Sequence, residues 1–312
     1  FLHLESGEMS ESPMSLFENI EPGTRNPEPG TRKSFLSTLS PSQIIHEPFP
    51  HIVVDKMLPE PLCQQLIREF PRLDVFTKGQ PYGDNQKRYY HAIHALAEGH
   101  LSPAWKTMVS DFLFQSTWVE AYRLFRSAIL TEYPDFEAQY GNPEDFRIGT
   151  RFRDDPAACD MLLNSFLLIH TPIHGQACVE RGPHYKMFKT LYVGYLFLRP
   201  EEDDSEGGDL ELFSIKPGAK IQLNQRHTVD RELLQLEKVI PYRANTFVLF
   251  LNTSRSIQGV SLRSPTRFPM MHLHFNAYFR KPLFHVKDKP GTVARDFLER
   301  NIKRVTRLVS NK

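Results

Sequence analysis

The sequence predicts an α+β fold, a helical N-terminal half packed against a β-sandwich or jelly roll. Three observations predict it. Apolar residues recur every three to four positions between about 58 and 130, the period of a helix face. From about Phe146 the texture changes to short apolar runs separated by Gly, Pro and charge, which reads as antiparallel strands rather than alternating β-α units. The chain has 312 residues and is 40% hydrophobic, enough for a sizeable core.

Residues 1–43 read as a disordered tail. Glu21 to Arg25 and Glu28 to Arg32 repeat the same Glu-Pro-Gly-Thr-Arg, and such sequence has too little apolar surface to offset its ordering entropy. Met9 and Met14 are candidate initiators. Residues 44–285 are expected to form the structured domain. Phe49 to Asp55 is a short β-branched run, hence a strand. A helix opens at Pro59, where a missing N–H costs little, and Leu62, Leu66, Ile67 and Phe70 make its apolar face. Gly79 to Asp84 is a turn-rich loop. One long helix is expected from Pro103 to Leu130, with Trp105, Phe112, Trp118, Tyr122 and Phe125 as an aromatic core stripe. Strands are expected at Leu163–Ile169, Leu191–Leu198, Asp209–Ile215, Ala219–Leu223, Thr246–Leu251 and His272–Phe279. Residues 286–312 are expected to form a C-terminal basic helix over Thr292–Ser310. Residues 281–312 hold nine Lys and Arg against three Asp and Glu, which reads as a solvated face.

The formal net charge of +1 argues against a nucleic-acid partner, and no apolar run reaches the ~18 residues of a membrane span. Cys63, Cys159 and Cys178 are odd in number and lack CxxC spacing, which excludes a disulfide framework and a structural zinc site. The expected class is a cytoplasmic protein whose partner is a small anionic molecule or another protein.

Chemistry concentrates in two segments, Ile169 to Phe213 and Ala244 to Phe279. The first holds Arg181-Gly182-Pro183-His184, a strand led by Lys189-Thr190-Leu191-Tyr192, and the acidic turn Asp203-Asp204-Ser205-Glu206 before Gly207-Gly208-Asp209-Leu210-Glu211. The second holds Leu249-Phe250-Leu251-Asn252-Thr253. With the opening Glu47-Pro48-Phe49-Pro50-His51, their order and spacing resemble the iron(II)/2-oxoglutarate oxygenases, specifically the bacterial prolyl-hydroxylase-like branch. The resemblance runs from about 45 to 280.

That resemblance implies a double-stranded β-helix (jelly roll). It also implies an iron held by two His and one carboxylate, and a basic residue that holds 2-oxoglutarate. His184 matches the first ligand, Lys186 stands at the carboxylate position and Gln258 at the second His. The basic position reads Phe268-Pro269-Met270-Met271, with Arg263 and Arg267 near it as candidate cofactor-binding residues. A protonated amine has no lone pair and repels a cation, and an amide oxygen is a weak ligand beside imidazole. The expectation is therefore a non-hydroxylating homologue that binds a ligand or partner. The alternative is an active dioxygenase using iron(II) and 2-oxoglutarate, its metal held by His184 with His272 or His274. The latter two share one strand face by alternation. On either reading Tyr185, Lys186, Tyr192, Tyr195, Gln258, His272 and His274 line a pocket suited to an anionic small molecule. Asp209 and Glu211 are expected to be structural.

Overall fold

In the computed structural model, which describes residues 34–286 apart from 222 and 225, the strands form two sheets. The large sheet runs in the order β1 (His51–Val54), β8 (Phe247–Leu251), β5 (Thr190–Phe197), β10 (Met270–Phe279), β4 (Met161–His170) and β2 (Lys87–His91). A short β3 (Ile148–Thr150) lies beside β4. The small sheet is β7 (Leu234–Ile240), β6 (Leu210–Ile215) and β9 (Ile257–Val260). Every pair is antiparallel except β3 with β4.

β4, β5, β8 and β10 are buried on both faces, and β5 and β8 accordingly read as nearly continuous apolar runs. On the outer face Leu163, Leu167, Leu191, Leu273, Phe275 and Ala277 join a core with the helices. On the inner face Val193, Tyr195, Phe197, Val248 and Phe250 pack with Leu210 and Leu212 of the small sheet. The helices are α1 (Glu60–Arg68), α2 (Leu73–Thr77), α3 (Ala92–Ala97), α4 (Pro103–Asp111), α5 (Gln115–Glu132) and α6 (Phe136–Tyr140). The indole N–H groups of the two buried Trp residues stay satisfied, Trp105 donating to the Leu66 carbonyl at 2.9 Å and Trp118 to that of Pro143 at 2.6 Å. None of the described helices is long and apolar enough to cross a membrane.

The structure corrects four expectations. The helix predicted over Pro103–Leu130 is two helices, α4 and α5, broken at Phe112-Leu113-Phe114. A polar knot holds the break. Buried Asp111 accepts the Phe35 N–H at 3.1 Å, and the Thr117 hydroxyl donates to the Asp111 carbonyl at 2.6 Å. The same contact orders the end of the expected tail. Residues 34–43 form two short 3-10 turns, with Phe35 and Leu36 buried in the helical core. The described residues of 219–223 form no strand. Four strands, β2, β3, β7 and β9, were not expected. The rest of the predicted tail, 1–33, and the predicted C-terminal helix lie outside the described residues, save Val286.

Gly194 is paired across the sheet with Phe275, whose ring stacks on Phe112 with centroids 3.9 Å apart. A Cβ at Gly194 would lie 2.0 Å from Phe275 Cζ. Gly194→Ala is expected to destabilise the fold by about 1–3 kcal/mol through overpacking, read as a lower urea midpoint. An unchanged midpoint would mean that Phe275 and Phe112 have room to shift.

Candidate functional site

Alternation along four strands builds the site. Met270, His272, His274, Asn276 and Tyr278 of β10 share its inner face, flanked by Phe166 and His170 of β4, Tyr195 of β5, and Lys87, Tyr89 and His91 of β2. These side chains border a cleft of about 460 Å³, and a narrower cavity of about 60 Å³ that shares Lys87, His184, Lys186 and His274 with it.

The backbone brings His184 and Gln258 together. Their main chains exchange hydrogen bonds, His184 N–H to Gln258 C=O at 2.8 Å and Gln258 N–H to His184 C=O at 3.1 Å. The side chains continue the contact. His184 Nε2 lies 3.4 Å from Gln258 Nε2, and the Gln258 amide meets the Tyr195 hydroxyl at 3.2 Å. His184 Nδ1 lies 2.9 Å from the Gly182 carbonyl. Lys186, two residues on, points into the same cleft, with Nζ 5.3 Å from the centre of the Tyr195 ring.

The charge of the cleft has one sign. Lys87, Arg151, Arg181, Lys186 and Arg226 line it, and none of its lining residues is Asp or Glu. Lys87 pairs with Glu180 at 2.7 Å. Among the described residues no carboxylate forms an ion pair with Lys186. Burial, reinforced by the Arg181 guanidinium, pushes the Lys186 amine down to about 7, with Glu180 acting weakly against it. Burial likewise holds His184, His170 and His274 well below the ordinary imidazole range, with nearby Lys87 and Lys186 adding to it. His272 is pushed down to about 3 by burial and then by Lys87. Burial raises the Tyr195 hydroxyl to about 12. Both ring nitrogens of His272 and Nδ1 of His274 are buried without a hydrogen-bond partner, as is Asn276 Oδ1.

The expected site residues divide. His184, Lys186, Gln258, His272 and His274 meet around these cavities. Tyr185 borders the cleft, but its ring belongs to a small core with Phe213 and Leu223, and its hydroxyl donates to the Ser254 carbonyl at 3.0 Å. Tyr192 does not line the cleft. Strand parity turns it to the helical face, against Trp118 and Phe275, while Val193 and Tyr195 face inward. Neither arginine expected to clamp 2-oxoglutarate reaches the cleft. Arg263 is buried and committed to Asp203 at 3.0 Å, Ser205 at 3.1 Å and the Phe268 carbonyl at 3.1 Å. Arg267 is exposed, its guanidinium 5.0 Å from the Phe268 ring centre. Asp209 accepts the Tyr242 N–H at 2.9 Å, and Glu211 takes Arg231 through two bonds of 2.7 Å. Sequence reasoning missed Lys87, Arg151, Arg181 and Arg226 as cleft residues. Arg181 belongs to the Arg181-Gly182-Pro183-His184 segment singled out in the sequence, whereas Lys87, Arg151 and Arg226 carry no common signal there.

The residues do not fit a ferrous ion. Among the described residues, no three His, Cys, Asp or Glu side chains gather as a metal set. The three-imidazole alternative does not form either, although His184, His272 and His274 border one cavity. The donor set at the expected position is one imidazole, an amide bonded to that imidazole and to Tyr195, and a Lys with two more cations near it. A divalent cation there meets repulsion and has no anionic ligand.

No protein-family model matches the chain, and neither does any curated protein. Among solved structures, the chain is similar to a Pseudomonas putida prolyl-4-hydroxylase at 13% identity, covering 74% of this chain and 93% of that one with a TM-score of 0.36. It is similar to a Trichoplax adhaerens prolyl hydroxylase, solved with a hypoxia inducible factor peptide, at 9% identity over 73% and 83% of the two chains (TM-score 0.38). A third is HygX from Streptomyces hygroscopicus, with nickel, 2-oxoglutarate and hygromycin B bound, at 11% identity over 74% and 83% (TM-score 0.37).

Proposed function

We propose that this chain is an oxygenase-fold homologue that carries out no hydroxylation and binds a small oxyanion in the cationic cleft. One observation carries the reading: five basic side chains line the cleft, none of its lining residues is acidic, and among the described residues no carboxylate forms an ion pair with Lys186. Like charges gathered in a largely buried cleft repel one another, and an anion there relieves the repulsion while gaining charge-assisted hydrogen bonds. The guanidinium and ammonium groups around the cleft offer several N–H donors at once, which suits an oxyanion with several acceptor oxygens better than a halide.

Titration calorimetry with inorganic phosphate at low salt tests the proposal. Lys186→Met, which keeps the length and the packing of the side chain, is expected to weaken binding roughly ten- to a hundredfold, the range of a hydrogen bond to a charged group. Phosphate binding that ignores the substitution would overturn the anion site. Stoichiometric iron(II) binding by the unmodified protein would overturn the non-hydroxylating half.

A further inference from the structure

Resting on that anion-binding reading, we infer that the mouth of the cleft is a ring-binding subsite, so that its ligand is a carboxylate or phosphate carried on an aromatic ring. Two aromatic side chains stand exposed at the mouth, Tyr89 at 49% and Phe152 at 55%. Single exposed apolar residues are ordinary, but Phe152 is also held in an unfavourable backbone conformation. Thr150 to Arg153 is a tight turn, closed by the Arg153 N–H on the Thr150 carbonyl at 3.2 Å. Phe152 occupies its third position with φ of 69°, a conformation that turns reserve for Gly or Asn. The turn thus holds an aromatic ring out at the cleft where Gly would be easier. Departures of this kind cluster at ligand sites.

The ring is positioned as well as exposed. The Arg151 guanidinium lies 4.5 Å from the Phe152 ring centre and 4.4 Å from that of Tyr278, which borders the same cleft. From Phe152 an unbroken file of rings leads inward: His91 at 4.7 Å, Phe166 at 5.1 Å from His91, His274 at 4.4 Å and Tyr195 at 4.6 Å. Lys186 stands over the last of them. The cleft is therefore lined by a file of rings along one wall and by cationic groups around the rest. His274 Nδ1 and Asn276 Oδ1 are buried without partners, on two residues that border the cleft and are 5% and 4% exposed. A bare inorganic anion would leave the outer rings uncovered. A ring bearing an oxyanion would cover them and reach the basic groups with its charged end.

The test compares phenyl phosphate with inorganic phosphate, and benzoate with acetate, by calorimetry. The intact protein is expected to bind each ring-bearing anion roughly tenfold more tightly than its ring-free counterpart, the scale of one stacking contact. Phe152→Gly is expected to bring that ratio near one, leave inorganic phosphate binding unchanged, and keep or raise the melting temperature because the turn position suits Gly. Lys186→Met is expected to weaken phenyl phosphate and phosphate alike. A ratio near one in the intact protein, or a ratio unmoved by Phe152→Gly, would overturn the ring subsite while the anion site stands. Failure of all four anions to bind would overturn both.

Discussion

Acidification from about pH 7 to about pH 5 is expected to remove a large part of the stability of this protein, because its cleft buries neutral imidazoles. Burial holds His272 at about 3, against about 6.5 in an unfolded chain. As pH falls through that unfolded value, the unfolded chain takes up a proton that the folded chain refuses, so stability declines with falling pH. Over the interval from about 6.5 to about 5, one such group costs about 2 kcal/mol. His170, His184 and His274 are shifted in the same direction by the same burial and add to the slope. Against a total of about 5–15 kcal/mol for a typical domain, the His272 contribution alone is a sizeable fraction. Lys186 acts at the other end of the scale. Its amine is pushed down to about 7, so it favours the folded state progressively as pH rises above that value. Thermal melts by circular dichroism across this range read the effect, and His272→Gln is expected to flatten the acid slope. A melting temperature unchanged down to about pH 5 would mean that these imidazoles accept protons in the folded state.

Arg263→Met is expected to cost about 3–5 kcal/mol, the scale for removing one partner of a buried ion pair. The Arg263 side chain is 1% exposed and that of Asp203 0%, and their 3.0 Å bond joins the acidic turn after β5 to the loop before β10. The loss leaves Asp203 with Arg199 at 3.7 Å, the Ser205 N–H at 3.1 Å and Thr266, which places the effect toward the lower end of the range. Arg263→Met with Asp203→Leu is expected to cost clearly less than the two single changes added together, since no charge is then stranded. Additive costs in urea unfolding would show that the two residues act independently. Because neither residue lines the cleft, anion affinity per folded molecule is expected to hold in these variants.

The longer strands that are buried along nearly their whole length were legible in the sequence, and β2, β7 and β9 were not. β5, β8 and β10 lie between the helices and the small sheet, so their residues are buried nearly without interruption and the runs stand out. β2 reads Lys-Arg-Tyr-Tyr-His because its inner face lines a cationic cleft, and it shows no apolar pattern. β7 carries exposed Gln, Glu and Leu at the free edge of the small sheet, and β9 has only four residues, one of them Gly259. The helix break at Asp111 depends on Phe35, 76 residues away, which no local periodicity registers. For the site, His184, Lys186 and Gln258 were named from the family resemblance, and in the fold one isolated bridge joins His184 to Gln258. Tyr192 was misplaced by a single step of parity relative to Tyr195. The basic set was invisible as a set, since Lys87, Arg151, Arg181 and Arg226 come from separate segments and meet only in three dimensions.

The paired main-chain hydrogen bonds between His184 and Gln258 have one more consequence. A strut built from backbone amides is indifferent to the side chains mounted on it. The two positions stay opposed through their main chains, and Lys186 follows two residues beyond this bridge. Chemistry at this spot is thus separable from foldedness: exchanging three side chains rewrites charge, donor type and ligand preference while the scaffold that presents them is left intact.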